Sequence, residues 1–367
     1  MSKTKELLGK VRVAIENGQL KAGNIPIADI KNCVYYEIEL HRNTVMKIEY
    51  ENILNSFEKL CSNISEEERD ISKITIFLDA MILCIDMLSD CIYNLANRDY
   101  WEYKHINDLE NPQVQEIIDY IDRKHQISLL NYSFMDEYEN LSVEVYFDVI
   151  CQMLYIPYKG RNMYFPRNWD EEKVKNYYRS VVAEQDRRSP HCYSYRGYEV
   201  NKGDIVVDVG AAEGIFTLDV IDIVDKIYLI EADLEWVEAL QQTFINDEDK
   251  VRIIYGFADC VVEGDRLTLD SLFGNEEINY IKMDIEGYEK QALLGAENIF
   301  DNCKKLKCAI CSYHCKEDEI WIRNYLKKHG FIMDVSEGFI CPDWTVEAYL
   351  GAELRRGIVF GKKSEKE

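Results

Sequence analysis

The chain carries little positive charge for its length. Its 367 residues include 43 Lys and Arg against 67 Asp and Glu, which gives a formal net charge of −24. A field of that sign repels phosphate backbones and anionic lipid heads, so nucleic acid is not an expected partner. The same acidity keeps a protein soluble, and that role alone is enough to account for it.

Long uncharged hydrophobic runs are also missing. The longest apolar stretch, residues 74–95, contains Asp79, Asp86 and Asp90. On a helix these three aspartates share one face, opposite an apolar face. Because each carboxylate would be costly at membrane depth, the stretch predicts an amphipathic helix and no membrane span. The first residues lack the apolar core and cleavage site of a secretory signal peptide, so we expect a cytoplasmic protein.

The twelve cysteines are expected to be thiols, since a reducing compartment disfavours disulfides. Their one dense cluster, with His314 beside it, comprises Cys303, Cys308, Cys311 and Cys315. Residues 308–313 are predicted to form a buried strand, in which residues three apart point to opposite faces. Cys308 and Cys311 are therefore not expected to chelate one ion. We interpret these cysteines as small core residues and expect no metal there.

The length and the pattern of the chain predict three regions. Residues 1–128 are predicted to be a helical domain without a recognisable chemical site, which leaves open a homo-oligomer, acceptor recognition or docking. Residues 129–200 are a connector with a hairpin around Lys159-Gly160-Arg161 and a helix over 170–184. Its segment 189–193 is a candidate lid.

Residues 201–367 alternate strands with glycine turns and helices. That alternation predicts an α/β fold with a largely parallel, doubly wound sheet. Seven strands are predicted, and their ranges are Ile205–Val209, Ile227–Glu231, Val251–Tyr255, Tyr280–Asp284, Leu306–Ser312, Phe331–Val335 and Gly357–Gly361.

The strongest local signal is the turn that follows the first of these strands. An apolar strand runs into Asp208 and Gly210, and Gly214 opens a helix. Ligands of open α/β sheets bind at the carboxyl ends of strands, and glycine there lets the backbone approach a ligand closely. Ala211 and Ala212 keep the turn small. The turn therefore predicts a nucleotide or nucleoside site.

Two features bear on which nucleoside binds. The dinucleotide fingerprint is G-x-G-x-x-G, whereas the spacing here is G-x-x-x-G and Glu213 is expected to face the phosphates. A carboxylate is a poor neighbour for pyrophosphate but is tolerable near a sulfonium. Glu231 ends the next strand, where an acid can bind both hydroxyls of a ribose. It serves NAD and S-adenosylmethionine alike.

Four motifs then occur in order along the second half of the chain. They are Thr268-Leu-Asp-Ser-Leu, Ile281-Lys-Met-Asp-Ile-Glu-Gly-Tyr-Glu, Leu294-Gly-Ala and Ser312-Tyr-His. In this order they resemble the FkbM family of methyltransferases, over roughly residues 190–361. Ala232 stands where a proline commonly follows the acid, and cysteines replace apolar residues around the last motif.

The resemblance implies a class I methyltransferase fold, S-adenosylmethionine as the cofactor and usually a hydroxyl acceptor, often on a sugar or polyketide. Asp259 is a candidate contact on the adenine side, although it is equally interpreted as a turn cap. The residues expected at the donor site are Asp208, Gly210, Ala211, Gly214 and Glu231.

Candidate catalytic residues follow the fourth and fifth strands. Asp284, Glu286 and His314 are the candidates for a general base, which takes the proton of a weakly nucleophilic hydroxyl. Asp284 is favoured by its position at the end of the fourth strand. His314 is favoured because a histidine has a pKa near neutrality. Lys282 is expected on the face of Asp284, as its partner. A divalent metal between Asp284 and Glu286 is a less favoured alternative.

Three functions are open from the sequence. The favoured one is an O-methyltransferase acting on a glycan or a related small metabolite. The second is a non-catalytic interaction protein that retains the fold and binds a partner through its helical half. The third, an NAD-dependent oxidoreductase, is disfavoured by the glycine spacing. Arg187 and Arg188 are candidates for binding an anionic acceptor, or else a solvated basic pair.

Overall fold

The computed structural model describes residues 104–342 and 352–363, together with scattered residues between 8 and 102. The chain divides into two compact units, residues 1–128 with 343–353 and residues 129–342 with 354–367. The segment 129–200, predicted as a connector, belongs to the same unit as the sheet. Within the described residues, no helix is long and apolar enough to cross a membrane.

The described part of the first unit is helical. Helix α1, Pro112–Lys124, begins at Asn111, whose side chain accepts a hydrogen bond from the backbone of Gln113. Residues 73–82 are also helical, and their exposed Asp79 lies on the face opposite the buried side chains. The remainder of the predicted amphipathic helix, 83–95, and most of the predicted helix over 34–60 lie outside the described residues.

In the second unit, the elements that precede the large sheet are α2 (Met135–Glu139), β1 (Tyr146–Asp148), β2 (Met153–Tyr158), β3 (Arg161–Tyr164) and α3 (Glu171–Glu184). The three strands form an antiparallel sheet, and β2 and β3 are joined by the predicted hairpin at Lys159-Gly160. Helix α3 begins at Asp170, whose carboxylate accepts the backbone N–H of Lys173.

The large sheet and its helices follow the predicted alternation. Their ranges are β4 (Ile205–Val209), α4 (Ile215–Val220), β5 (Lys226–Glu231), α5 (Leu234–Thr243), β6 (Val251–Tyr255), β7 (Phe257–Ala258), β8 (Arg266–Leu267), α6 (Leu269–Phe273), β9 (Tyr280–Met283), α7 (Glu289–Leu294), α8 (Glu297–Asn302), β10 (Lys307–Cys311), α9 (Asp318–Lys328), β11 (Phe331–Val335) and β12 (Ile358–Lys363). Strands β7 and β8 pair separately.

The seven strands have the order β11-β12-β10-β9-β4-β5-β6. Neighbouring strands from β10 to β6 are parallel, and β12 is antiparallel to both β10 and β11. The predicted class I methyltransferase sheet, with its last strand inserted antiparallel, is confirmed. The order reverses beside β4, and the crevice there is where open α/β sheets bind ligands.

The main core lies between the sheet and helices α6 to α9. Phe300 of α8 is fully buried and packs against Tyr325 of α9 and Phe331 of β11, with ring centroids 5.4 Å apart in both pairs. Interlocked aromatic rings of this kind fix the helices against the strands, and so fix the strand ends that carry the site.

We expect Phe300→Ala to lower the free energy of unfolding by about 3–5 kcal/mol, because it removes a fully buried ring and leaves a cavity. Urea denaturation measures the change. The control is Ile332→Ala on β11, where the side chain is 52% exposed and the loss should stay below about 1 kcal/mol. Equal losses in the two variants would contradict the description of the core.

Candidate functional site

The candidate site lies where β4, β5, β6 and β9 end. A cavity of about 690 Å³ opens at this edge, a size typical of small-molecule sites. The residues that line it are Val209, Gly210, Ala212, Ile230, Glu231, Ala232, Trp236, Gly256, Phe257, Ala258, Asp259, Arg266, Asp284, Ile285, Glu286 and Tyr288.

The glycine turn brings β4 against β9 at the base of the cavity. Gly210 has φ +76°, and a Cβ atom there would lie 1.8 Å from the backbone oxygen of Asp284. Its N–H donates to the carbonyl of Ile230 on β5. Only glycine fits a backbone that passes so close to its neighbour, so Gly210 fixes the position of Asp284.

A buried ion pair contacts this turn on the side away from the cavity. Lys282 Nζ lies 3.1 Å from a carboxylate oxygen of Asp208 and donates a hydrogen bond to the carbonyl of Gly210. Thr217 donates to the other carboxylate oxygen of Asp208. Burial alone would lower the pKa of Lys282, but Asp208 and Asp284 raise it, so the ammonium stays charged. Neither Asp208 nor Lys282 lines the cavity. Lys282 pairs with Asp208, whereas we expected a pair with Asp284.

The rest of the turn is mostly packed into the fold. Ala211 is buried, and Gly214 packs against α5, while Ala212 reaches the cavity wall. The expectation that Glu213 faces the ligand is wrong. Its carboxylate is buried and accepts a hydrogen bond from Tyr177, and burial raises its pKa to about 7.

Glu231 ends β5 with its carboxylate in the cavity wall. One oxygen accepts the backbone N–H of Ala212, and the other accepts those of Ala232 and Asp233, each at 2.8 Å. Three backbone donors hold the carboxylate in one orientation. The acid predicted to bind a ribose therefore lies in the cavity wall with a fixed geometry.

Asp259 lies on the far side of the same cavity. Arg266 Nε donates to its carboxylate at 2.6 Å, and the backbone of Cys260 donates to the second oxygen. The hydrogen bond from Arg266 lowers the pKa of Asp259. Asp259 thus both caps its own turn and faces the cavity, so the two interpretations of this residue are compatible.

Asp284, just after β9, is the most densely contacted side chain of the site. Tyr193 donates its hydroxyl to Oδ2 at 2.6 Å. His191 Nε2 lies 3.4 Å from Oδ2, and His314 Nε2 lies 3.5 Å from Oδ1. Burial alone would raise the pKa of Asp284, but His191, Lys282 and His314 hold it well below its usual range. The carboxylate is therefore ionised at neutral pH.

His314 follows β10 and is almost fully buried. Its Nδ1 lies 2.9 Å from Oε1 of Glu289, and its Nε2 lies 3.6 Å from Glu286. Burial would lower its pKa, but Glu289, Asp284 and Glu286 together raise it to about 9. Glu286, with φ +55°, projects a side chain that is 91% exposed. The structure thus brings the three predicted base candidates, Asp284, Glu286 and His314, together.

The cavity wall is strongly negative. Four carboxylates line it, against one guanidinium, that of Arg266. These carboxylates belong to Glu231, Asp259, Asp284 and Glu286. Such a wall attracts a cation and repels phosphate groups.

Two groups of side chains, among the residues described, have the composition of a metal site. They are His191 with Asp284 and Cys311, and Asp284 with Glu289 and His314, and their ligand atoms lie within 4.8 Å of one another. Both histidines already have protein partners, since His191 Nε2 is hydrogen-bonded to the hydroxyl of Tyr313 and His314 Nδ1 lies at ion-pair distance from Glu289. We therefore describe both groups as ion-pair networks. Of the predicted cysteine cluster, only Cys311 enters either group.

Comparison with known proteins matches part of this chain to a family. Residues 261–333 match the family model of the Methyltransferase FkbM domain. Residues 261–333 are therefore similar to the FkbM methyltransferase domain. The resemblance expected from the motifs is confirmed, and the matched range includes Lys282, Asp284, Glu286 and His314. None of the curated proteins compared with the chain matches it.

Solved structures also match the chain. A methyltransferase FkbM from Methylobacillus flagellatus KT has 19% identity and a TM-score of 0.37, covering 53% of this chain and 55% of its own. The chain thus spans about 55% of the length of that protein. A precorrin-6y C5,15-methyltransferase from Geobacter metallireducens GS-15 has 8% identity and a TM-score of 0.33, over 46% of this chain and 84% of its own.

Three residues of the site were missed or misjudged from the sequence. Glu289 is the last residue of the motif that contains Asp284, and it is the first residue of helix α7. That position was the signal in the sequence that could have indicated its role. His191 and Tyr193 were assigned to a lid. Both are buried beside Asp284 and neither lines the cavity, so the segment 189–193 is packed into the fold and is not an exposed lid.

The two arginines before this segment, Arg187 and Arg188, differ in their contacts. Arg188 pairs with Glu137 at 2.7 Å and with Asp186 at 2.6 Å. Because its guanidinium is engaged by two carboxylates, the expectation that Arg188 binds an anionic acceptor is not supported by its contacts. Arg187 is exposed.

We expect Gly210→Ala to destabilise the second unit and to displace Asp284. Gly160→Ala is the matched control, because Gly160 has φ +83° but no atom within 4 Å of its would-be Cβ. The control should lose about 1–2 kcal/mol through backbone strain alone, and Gly210→Ala at least about 2 kcal/mol more. Urea denaturation measures both, and equal losses would contradict the close contact.

Proposed function

We propose that the second unit of this chain binds S-adenosylmethionine in the cavity and transfers its methyl group to a hydroxyl oxygen of a sugar, a glycan or a related metabolite. The observation that carries this proposal is the negative wall of the cavity, beside the glycine turn. When bound, S-adenosylmethionine supplies a methyl group activated by a positively charged sulfur.

The residues present fit this cofactor. The carboxylate of Glu231 has about four acceptor positions, of which three backbone N–H groups use three, so one is left for a ribose hydroxyl. Gly210 allows close approach of the backbone. Asp259 and Arg266 offer an acceptor and a donor to a heterocycle, and Trp236 and Phe257 offer apolar surface.

Charge also separates this donor from a nicotinamide dinucleotide. The cavity wall carries Glu231, Asp259, Asp284 and Glu286, whereas a pyrophosphate requires donors or cations around its oxygens. A sulfonium is stabilised by the same carboxylates. The negative wall therefore supports the sulfonium donor and disfavours an oxidoreductase.

A hydroxyl acceptor is supported by the contact between Tyr193 and Asp284. The ionised carboxylate of Asp284 already accepts a hydroxyl hydrogen bond at 2.6 Å. An acceptor hydroxyl at the cavity edge would find the same strong acceptor, which orients its oxygen for attack. The class of acceptor, a sugar or a related metabolite, rests on the family resemblance.

Calorimetric titration tests the donor. We expect micromolar binding of S-adenosylmethionine and of S-adenosylhomocysteine, and none of NAD⁺, since only the first two lack phosphate groups. A hydroxylated glycan panel with radiolabelled methyl donor then tests the acceptor. Binding of NAD⁺ alone would overturn the proposal, and binding of no ligand would favour an interaction protein that retains the fold.

Removal of one wall carboxylate tests the role of charge. We expect Asp284→Asn to weaken S-adenosylmethionine by about tenfold more than S-adenosylhomocysteine, because only the former is cationic. Asp249→Asn, at an exposed carboxylate between α5 and β6, is the control and should change neither affinity. An equal loss for both ligands would indicate damage to the fold and contradict the electrostatic assignment.

A further inference from the structure

The loop between β9 and α7, residues 284–288, carries two exposed side chains into the cavity wall. Asp284, Glu286 and Tyr288 all line the cavity. The side chain of Asp284 is only 17% exposed, whereas that of Glu286 is 91% exposed and Tyr288 is 62% exposed. Residues that line a cavity and are also open to solvent lie at its opening, so we call residues 284–288 the mouth loop.

The backbone of the mouth loop is held on both sides. The N–H of Asp284 donates to the carbonyl of Val209 at 3.0 Å, and the N–H of Ile285 donates to the buried carboxylate of Glu289 at 3.0 Å. Glu286 has φ +55°, a backbone conformation that a residue with a Cβ atom keeps only where its neighbours hold it. The loop therefore presents its outward side chains from fixed positions.

Tyr288 differs from the other large aromatic residue of the cavity wall. The ring of Trp236 is packed against Trp169 and Tyr177, with centroids 5.2 and 5.5 Å away. Most of the surface of Tyr288 is open to solvent beside the cavity. An aromatic ring in this position offers a flat apolar face and a hydroxyl group to a ligand that enters the cavity.

The charge of the mouth loop is negative. Asp284 and Glu286 are carboxylates, and carboxylates only accept hydrogen bonds. Of the described residues that line the cavity, Arg266 alone is a Lys or Arg, and it is paired with Asp259 at 2.6 Å on the far side. Hydroxyl groups can donate to this loop. A phosphate or carboxylate group is repelled by it and finds no cation there to bind.

Two cations close to Asp284 do not change this balance. Lys282 pairs with Asp208 at 3.1 Å, and His314 lies 2.9 Å from Glu289. Both cations are buried, and neither lines the cavity. Their charges are balanced by carboxylates within the fold, so neither is placed to bind an anionic group of a ligand.

We propose that Tyr288 and Glu286 form the acceptor subsite, and that this subsite selects a neutral hydroxylated ring over a phosphorylated one. The ring of Tyr288 stacks on the C–H face of the acceptor, and Glu286 accepts a hydrogen bond from a hydroxyl beside the one that is methylated. This inference rests on the function proposed above. A sugar that still carries its phosphate or nucleotide group is rejected by the charge of the loop.

The proposed selectivity also places the reaction in a sequence. A neutral sugar is supplied by glycosyl transfer, in which the bond between the sugar and its phosphate breaks, the phosphate leaves with the nucleotide, and the sugar carbon bonds to an acceptor oxygen. Methyl transfer by this chain therefore follows glycosyl transfer and acts on the glycoside.

The first test compares matched acceptors on the full-length protein. The probes are a panel of methyl glycosides and the corresponding sugar 1-phosphates, titrated by saturation-transfer NMR with saturating S-adenosylhomocysteine. We expect the glycoside of the preferred sugar to bind at least about tenfold more tightly than its phosphate. A sugar phosphate that binds as tightly as its glycoside, or more tightly, would overturn the inference.

The second test separates the roles of the two side chains. Tyr288→Ala should weaken the glycoside about three- to tenfold, and Tyr288→Phe, which keeps the ring, should retain most of the affinity. Glu286→Gln should reduce the preference for the glycoside over the phosphate at least about threefold, because one like charge is removed. In all three variants, calorimetry should show unchanged affinity for S-adenosylhomocysteine.

Matched controls lie outside the cavity wall. Phe147→Ala removes a ring on β1 that is 57% exposed, and Glu297→Gln removes the charge of a glutamate on α8 that pairs with Lys328. Neither residue lines the cavity. Both controls should leave the affinity and the preference for the glycoside unchanged.

The outcomes distinguish this inference from the proposed function. An equal loss of glycoside and S-adenosylhomocysteine in Tyr288→Ala would assign the ring to the donor and overturn the acceptor subsite. Binding of S-adenosylhomocysteine without binding of any glycoside would also overturn the subsite, while the donor site stands. Failure of the unaltered protein to bind either S-adenosylmethionine or S-adenosylhomocysteine would overturn the proposed function, and this inference with it.

Discussion

The charge of Lys282, buried on β9 beside β4, is the constraint on which the site depends. A buried ammonium is stable only among carboxylates, and here Asp208 pairs with it directly while Asp284 lies nearby. The same ammonium binds the carbonyl of Gly210, whose backbone in turn contacts that of Asp284. One cation thus joins the glycine turn, the two central strands and the acid that faces the cavity.

The carboxylates around this cation outnumber the positively charged side chains that could neutralise them. Asp284, Glu289 and Glu184 surround two histidines, and the cavity wall adds further acids without an equal number of cations. Buried negative charge of this kind is costly unless protons or a bound cation compensate for it. The raised pKa values of His191 and His314 are one such compensation, and a cationic ligand would be another. This charge balance is the physical basis of the proposed sulfonium donor.

Much of this architecture could be predicted from the sequence, because parallel strands and glycine turns leave local patterns. The seven strands of the sheet and the placement of Gly210, Glu231 and Asp284 at strand ends follow from such patterns. The partners of buried charges do not, since they depend on contacts between distant segments. His191 lies 93 residues before Asp284 in the chain, and nothing local indicates that the two meet. The inward orientation of Glu213 likewise depends on Tyr177, which belongs to another element.

The central claim is that the negative cavity at the end of β4 and β5 is a nucleoside–sulfonium site. A crystal structure of the protein soaked with S-adenosylhomocysteine tests it most directly. The account predicts the ligand in this cavity, with a ribose hydroxyl on Glu231 and the sulfur at the end nearest Asp284. A ligand bound elsewhere, or one whose ribose lies away from Glu231, would contradict the account.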